Sequence, residues 1–366
     1  MEKSVVIFNK RSSASDFSSS ESTDWAWRYA KLCVQVSDWT CHELTVHLTN
    51  THLVEEVVIV AAHRTLPVTH PVYRLLEPHW LKTLPLNAAA RASLVPGFIV
   101  FINGMTSSQT YGFVNDAYKR FDWKGKYIPN DLATRGFPRS ELNSRKFHNY
   151  VYGKNMIMLW DKLREFVAAA LKKSYTTDAD VVSDLAIKAF GDEMRNPLGG
   201  AMEKFPEIKT VDDLIDMVVM AIHIASPQHT AVNYLQDYYQ AFVPNKPGCL
   251  CAPLPTSLDA LNAYQEADMI RALPANHPRI WLMSSHLPYL LSYRVAEDQT
   301  LLNYALSLQK LSSIKKGDPI ADAGDKLVKD LVELAAAFKF NSQQMDDQTL
   351  PYEVMDPGAT AISILL

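Results

Sequence analysis

Long runs of apolar residues are missing from this 366-residue chain. No stretch approaches the roughly 18 consecutive apolar residues that a membrane-spanning helix needs. Residues 1–17 contain an apolar run of only four residues, which is too short for the core of a signal peptide. These absences predict a cytoplasmic protein without a transmembrane segment.

Cysteine, basic charge and glycine-rich loops are also scarce. The four cysteines are too few for a disulfide framework in a chain of this length. The net charge of −4 gives no basic excess, so a nucleic-acid partner is not expected. No Gly-rich phosphate loop is found. What is present, 48% hydrophobic and 21% charged residues, is typical of an ordinary globular protein.

The chain divides into a short polar start and a long helical remainder. Residues 1–24 are Ser-rich toward their end and lack periodicity, which predicts a flexible lead-in. Residues 25–366 predict one mainly α-helical domain with a few short strands. Apolar residues recur at helical spacing over 155–173, 210–226 and 325–340. Only residues 98–102, FIVFI, suggest a strand.

Histidines are concentrated in residues 40–63, TCHELTVHLTNTHLVEEVVIVAAH, which otherwise read as one helix. Asp38 is the predicted N-cap, and the helix should end before Pro67. His47 and His52 are five residues apart, so a regular α-helix would place them roughly 140° apart around its axis. Either the two side chains point in different directions, or the helix is locally widened to an i→i+5 turn, which is common at functional sites.

A second polar cluster, SPQHTAVN, follows the apolar segment 210–226. His229 and Asn233 are four residues apart, on one face of a helix that Pro227 should kink. Buried polar groups need partners. A hydrogen-bonded core pair is the preferred interpretation of these two residues when they are taken alone.

The chain ends on Ile364-Leu365-Leu366, an apolar terminus that a protein interior would accept. A buried α-carboxylate must then be paired or bound to a metal. An apolar tail in a surface groove, with its carboxylate in water, explains the same residues. With three imidazoles and one carboxamide, such a carboxylate would complete a mixed nitrogen and oxygen set suited to a first-row metal such as iron.

At these residues the sequence resembles the lipoxygenases, in the C-terminal, iron-binding catalytic domain. The resemblance runs from about residue 25 to residue 366. Its motifs are His-x4-His at His47 and His52, Leu66-Pro67 with His70-Pro71, Asn87 with Ala90-Arg91, SPQHTAVN, PNKP at 244–247, and Asp356-Pro357 near the terminus.

The resemblance implies a non-haem iron dioxygenase that abstracts hydrogen from a bis-allylic CH2 of a polyunsaturated fatty acid, of the linoleate or arachidonate type, and inserts O2 to give a hydroperoxide. It implies one iron per chain, manganese being the less expected metal, and a ligand helix widened around the first two histidines. The implied metal ligands are His47, His52, His229, Asn233 and the carboxylate of Leu366. The implied channel residues are Leu48, Leu53, Leu86 and Leu94, with Ala90 at the position that steers oxygen.

Two departures from the family pattern bear on these expectations. The terminal residue is leucine where most members have isoleucine. The N-terminal β-barrel and the first part of the catalytic domain are absent, so a face expected to be covered could contact a membrane surface or a second copy of the chain. The alternative function is a truncated lipoxygenase-like protein that binds metal or lipid without turnover. A metal-dependent hydrolase is disfavoured because the histidine segment lacks the HExxH pattern. Glu55 and Glu56, which follow His52, are expected to lie on a solvated face.

Overall fold

The computed structural model describes residues 24–234, 236–292, 294–349 and 351–365. Helices dominate this part of the chain, and no strand forms in it beyond an isolated antiparallel bridge between Thr300 and Ala361. The predicted mainly α class is therefore confirmed. The lead-in predicted for residues 1–24 lies almost wholly outside the described residues and stays a prediction.

The helices are of three kinds. The α-helices are α1 Trp25–Thr40, α2 Val54–Thr65, α3 Pro71–Leu76, α4 Thr83–Ala89, α5 Val100–Asn103, α6 Ser107–Arg120, α7 Ile128–Thr134, α8 Val151–Leu171, α9 Asp178–Ser183, α10 Leu185–Arg195, α11 Val211–His223, α12 His229–Asn233, α13 Gln236–Gln240, α14 Leu258–Asn262, α15 Glu266–Ala272, α16 Pro278–Leu291, α17 Leu301–Ile314 and α18 Pro319–Gln343. Three π-helical segments, each wider than an α-helix, are π1 Cys41–Leu53, π2 Ala90–Ile99 and π3 Ile224–Gln228. Short 3-10 turns occupy Glu77–His79, Arg139–Glu141, Arg145–Phe147, Pro274–Asn276 and Glu297–Gln299.

Polar caps start the long helices where the sequence supplies them. Thr210 and Asp213 form a reciprocal capping box at the start of α11. The Asp318 carboxylate accepts from the first backbone N–H groups of α18, whose first residue is Pro319. Each cap satisfies N–H groups that have no partner inside the helix.

Two local predictions are wrong. Asp38 lies inside α1, whose N-cap is Asp24, because α1 runs directly into π1. Residues 98–102 are helical and not a strand. The physical reason is that Val95, Ile99 and Ile102 are all buried, and their spacing of four and three residues is helical. A short apolar run does not by itself distinguish the two structures. The predicted end of the histidine helix before Pro67 is confirmed, since α2 ends at Thr65.

One helical stretch of the described chain, Thr83–Asn103, is long and apolar enough to cross a membrane by length and composition alone. Its mean hydropathy is 1.4 over the most apolar window, although the stretch contains Arg91. The lack of an uninterrupted apolar run in the sequence therefore does not exclude a helix of sufficient length and mean hydropathy to cross a membrane. A single helix of this kind is weak evidence for a membrane span, because helices of non-membrane proteins pass the same test.

The chain forms two compact units. Among the described residues, the larger unit comprises Thr45–Ala90, 112–234, 294–349 and 351–365. Its core is a continuous cluster of apolar side chains in which α8 packs against α11 and α18, and α17 packs along α18. The apolar spacing noted over 155–173, 210–226 and 325–340 supplies the buried faces of these helices.

Among the described residues, the smaller unit comprises 24–44, Arg91–Tyr111 and Gln236–Ser292. In it, Tyr29 and Leu32 of α1 pack with Ala272 of α15. No disulfide links the four cysteines in the described part of the chain. Burial raises the pKa of the Cys249 thiol to about 12, so this group is neutral at physiological pH.

Candidate metal centre

The π1 segment brings His47 and His52 together. Their ring centroids are 5.0 Å apart, although five residues separate them in the chain. The wider turn makes this approach possible, because residues five apart share a face only where the helix is expanded. The hydroxyl of Thr51 follows the same spacing and donates to the carbonyl oxygen of Val46, five residues earlier, over 2.7 Å. Of the two arrangements that the sequence allowed, the structure has the widened helix.

His229 adds a third imidazole from a separate part of the larger unit. Its ring centroid lies 5.6 Å from that of His47 and 5.0 Å from that of His52. His229 opens α12 directly after π3, the segment that contains Pro227. A hydrogen-bonded core pair of His229 and Asn233, the interpretation preferred for SPQHTAVN taken alone, does not by itself explain the two further imidazoles beside His229.

The three imidazoles are suitably placed to share one metal ion. Each offers one ring nitrogen, and these atoms lie within 4.8 Å of one another. Nitrogen ligands bind such ions at about 2.0–2.1 Å, so two of them on one ion are separated by up to about 4 Å. Adjustments of less than about 1 Å would bring these nitrogens to that separation. His47, His52 and His229 are all buried, and neutral imidazoles are ordinary ligands of first-row metals.

Asn233 lies one helical turn beyond His229 at the end of α12 and is completely buried. Residues four apart lie on the same face of an α-helix, which places the carboxamide and the imidazole on one side. The predicted role of Asn233 as a weak ligand stays a prediction.

The C-terminal segment is drawn into the interior of the larger unit. The Ser226 hydroxyl donates to the carbonyl oxygen of Ala361 over 2.5 Å, and the Ala361 N–H donates to the Thr230 hydroxyl over 3.0 Å. Ser226 lies three positions before His229, and Thr230 lies one position after it, so the tail passes beside that histidine. Ile364 is completely buried. A buried tail, and not a surface groove, is therefore observed up to residue 365. Leu366, the predicted carboxylate ligand, lies outside the described residues.

His79 holds the same tail from another direction. Burial lowers the pKa of His79 to about 4, although its hydrogen bond to Ile362 opposes this shift. The neutral ring has a single N–H, and its Nδ1 lies 2.7 Å from the carbonyl oxygen of Ile362. A carbonyl oxygen can only accept, so Nδ1 carries the proton and donates. No motif in the sequence singles out His79.

A buried carboxyl group lies close to the histidines along the chain. Glu55 follows His52 by three residues and is completely buried. Burial raises the pKa of Glu55 to about 8, and the hydrogen bond from Trp80 acts in the opposite direction. Trp80 Nε1 donates to Glu55 Oε1 over 2.9 Å. Glu55 was expected to lie on a solvated face, which is wrong because α2 packs into the core on this side.

The residues predicted to line a substrate channel share an intermediate exposure. Each is partly buried: Leu48, Leu53, Leu86, Ala90 and Leu94. Leu48 and Leu53 lie on π1, directly after the two histidines, while Ala90 opens π2. Many residues of a folded protein are partly buried, so this exposure does not by itself indicate a channel. The channel role of these five residues stays a prediction.

Several residues that position the histidines were missed at the level of sequence. Gln228 Nε2 donates to the Thr51 hydroxyl over 2.9 Å and to the carbonyl oxygen of Asn50 over 3.2 Å, which joins the two histidine-bearing segments. The available signal was the run of polar residues Ser226, Gln228 and Thr230 interrupting an otherwise apolar helix. Such residues are buried at a cost unless they are hydrogen-bonded.

Comparisons with known proteins find a family model and several relatives that match this chain. The family model described as Lipoxygenase matches residues 8–310. The manganese lipoxygenase of Pleurotus sapidus is 51% identical over 369 aligned residues, which cover 100% of this chain and 57% of that protein. The linoleate 9/13-lipoxygenase of Pseudomonas aeruginosa is 31% identical over 68% of this chain and 36% of its own length.

Among solved structures, the fungal lipoxygenase of Fusarium graminearum superposes with a TM-score of 0.92 at 41% sequence identity. The match covers 98% of this chain and 60% of the Fusarium chain. The chain thus spans less than two thirds of the length of the Pleurotus and Fusarium proteins.

Proposed function

This chain belongs to the lipoxygenase family, and we propose that it houses the catalytic metal centre of a dioxygenase acting on polyunsaturated fatty acids and O2. The observation that carries the proposal is the convergence of His47, His52 and His229, with one ring nitrogen of each within 4.8 Å of the others. Three buried imidazoles from two segments of the chain form a donor set for a redox-active first-row metal.

The metal is proposed to be manganese or iron. The sequence resemblance favours iron, while the name of the Pleurotus relative, 51% identical over the whole chain, supports manganese. An imidazole-rich set accepts either ion, because geometry and metal availability decide selectivity more than ligand type does. Asn233 and the Leu366 carboxylate are the further proposed ligands.

The residues around the site are suited to this chemistry. The chemistry that a bound metal would supply is one-electron oxidation of the bis-allylic CH2 group of the fatty acid. His47, His52 and His229 would hold the ion. His229 and Ile364 of the tail are both buried, so little water reaches either residue, and this would protect a carbon radical near the metal from side reactions. Leu48 and Leu53 follow two of the histidines directly and are proposed to contact the acyl chain.

The test combines metal content with turnover. The full chain, expressed with manganese or with iron, is purified and analysed for metal, and O2 uptake and conjugated-diene formation are measured with linoleate and arachidonate. Linoleate is the first substrate because the Pseudomonas relative is named for it. We expect about one metal per chain and a diene product.

Matched histidine variants make the test specific. His229→Gln should lose both metal and diene formation, whereas His63→Gln, which alters an exposed histidine bonded to Tyr73, should keep both. Metal binding without diene formation would support the non-catalytic alternative. Equal metal content in His229→Gln and the unaltered chain would overturn the proposed centre.

A further inference from the structure

Asn87 of α4 makes a set of contacts with one turn of another helical region in the same unit. Its Nδ2 lies 2.8 Å from the carbonyl oxygen of His52 and 2.9 Å from Oε2 of Glu56. Its Oδ1 lies 2.8 Å from Nδ1 of the His52 ring. Asn87 is 1% exposed, so water does not compete for these bonds. One carboxamide thus contacts the backbone of His52, the ring of His52, and the side chain of Glu56 one helical turn later.

The acceptors around Asn87 determine which way its amide points. The backbone carbonyl oxygen of His52 can only accept a hydrogen bond, so the atom beside it must be the NH2 group. The carboxylate oxygen of Glu56 imposes the same orientation. The carboxamide oxygen is therefore the atom that faces the His52 ring.

The orientation of this amide determines the tautomer of the imidazole. A carboxamide oxygen carries no hydrogen, so the bond between Asn87 and His52 forms only if Nδ1 of the ring bears the proton. In the neutral ring the lone pair then lies on Nε2. Nε2 is therefore the ring nitrogen whose lone pair can bind a metal.

We propose that Asn87 is a positioning residue that holds His52 in the Nδ1–H tautomer and fixes the ring orientation in which Nε2 can bind the metal ion. The proposal rests on the metal centre described under the proposed function. It adds a residue from a third segment of the chain, 35 positions beyond His52. Residues that bond the outer nitrogen of a ligating histidine raise its basicity and restrict its motion.

The first test reads the tautomer in the absence of metal. The full chain is labelled with 15N-histidine, stripped of metal with a chelator, and studied by long-range 1H–15N correlation at pH 8. The His52 signals are assigned by their loss in His52→Gln. We expect the Nδ1–H tautomer for His52. A ring that is predominantly Nε2–H in the unaltered chain would overturn the proposal, whether or not the protein binds a metal.

The second test uses two substitutions that distinguish the effect of the acceptor oxygen of Asn87 from the effect of the size of its side chain. Asn87→Asp keeps an oxygen for Nδ1–H, whereas Asn87→Leu has about the same size and no acceptor. We expect the Nδ1–H tautomer to persist in Asn87→Asp and to be lost in Asn87→Leu. In Asn87→Leu the Kd for Mn2+, measured by chelator competition, should rise about 10–100-fold.

Asn155→Leu is the matched control. Asn155 is also completely buried in the larger unit, where its carboxamide oxygen accepts from the side chain of Asn341. It should leave the His52 tautomer and the Kd for Mn2+ unchanged. Equal Mn2+ affinity in Asn87→Leu and Asn155→Leu would overturn the proposed role. If no variant and no parent chain binds Mn2+ or Fe2+, the proposed function fails, while the tautomer measurement still decides the position of the His52 proton.

Discussion

Gln228 donates a hydrogen bond to the hydroxyl of Thr51 over 2.9 Å, and Thr51 in turn donates to the carbonyl oxygen of Val46. The first bond joins the residue before His229 to the residue before His52. The second follows the wide turn of π1. The relative placement of the three imidazoles therefore depends on a short chain of hydrogen bonds between two segments 177 residues apart.

A double-mutant cycle measures the coupling between these two residues. Gln228→Leu removes this bond and the bond to Asn50, and Thr51→Val removes this bond and the bond to Val46. Each should lower the free energy of unfolding by about 1–3 kcal/mol. Comparison of the double variant with the sum of the two single variants should give a coupling energy of about 1 kcal/mol. Urea unfolding of the metal-free chain provides the values. Gln343→Leu, on the exposed last turn of α18, is the control and should change stability by less than about 0.5 kcal/mol. Strict additivity of the two substitutions would contradict the coupling.

The contacts of Ala361 predict how the C-terminal tail is retained. Thr230→Val leaves the Ala361 N–H without its acceptor, and Ser226→Ala removes the donor to the Ala361 carbonyl oxygen. Each should cost about 1–3 kcal/mol and increase amide hydrogen exchange in residues 351–365. Ser183→Ala, which removes an exposed bond to Asp180, is the control. Unchanged exchange in the tail of Thr230→Val would show that this bond does not retain it.

His79 predicts a loss of stability in acid. Burial lowers the pKa of His79 in the folded chain to about 4, below the ordinary value of 6.5. Between these values the unfolded chain binds a proton that the folded chain does not, so stability is fully present above pH 6.5 and is lost as the pH falls toward 4. The limiting slope is about 1.4 kcal/mol per pH unit.

Asn is a suitable replacement at position 79 because its amide can still donate to Ile362 and does not titrate. His79→Asn should show a shallower decline of unfolding free energy between pH 6.5 and 4.5 in urea titrations of metal-free protein. A part of the decline should persist, because burial also lowers the pKa of His223, to about 3. Identical slopes for the parent and His79→Asn would count against the buried neutral imidazole.

The buried Glu55 predicts the opposite dependence of folding stability on pH. Burial raises the pKa of Glu55 to about 8 from an ordinary value of 4.5. Between these values the folded chain holds a proton that the unfolded chain releases, so the stability contributed by this group is present below pH 4.5 and is lost as the pH rises to 8.

Glu55→Gln removes this titration and keeps an oxygen for the Trp80 N–H. The difference in unfolding free energy between Glu55→Gln and the parent should therefore shift in favour of the variant as the pH rises from 5.5 to 8. Denaturant unfolding at four pH values measures it in metal-free protein. Glu333→Gln, at an exposed position of α18, should give a flat difference. A flat difference for Glu55→Gln as well would mean that the carboxyl is ionised throughout.

Local patterns account for the parts of the fold that were predicted correctly. The apolar spacing over 155–173 and 325–340 gave helices that the structure has as α8 and α18. The strand expected at 98–102 failed because a five-residue apolar run carries too few positions to distinguish a period of two from one of 3.6. The N-cap at Asp38 failed for a related reason. A cap signal does not exclude that an earlier helix continues through it.

The sequence by itself determined the helical class, the spacing of five residues that a regular α-helix cannot place on one face, and the polar residues that interrupt an apolar helix. Tertiary structure alone decided that His229 lies beside His47 and His52, and that Asn87 bonds the ring of His52. It also decided that the tail up to Leu365 is buried. The reason is physical: periodicity and capping act over a few residues, whereas these contacts are hydrogen bonds and ring contacts between segments that only packing of the whole unit brings together.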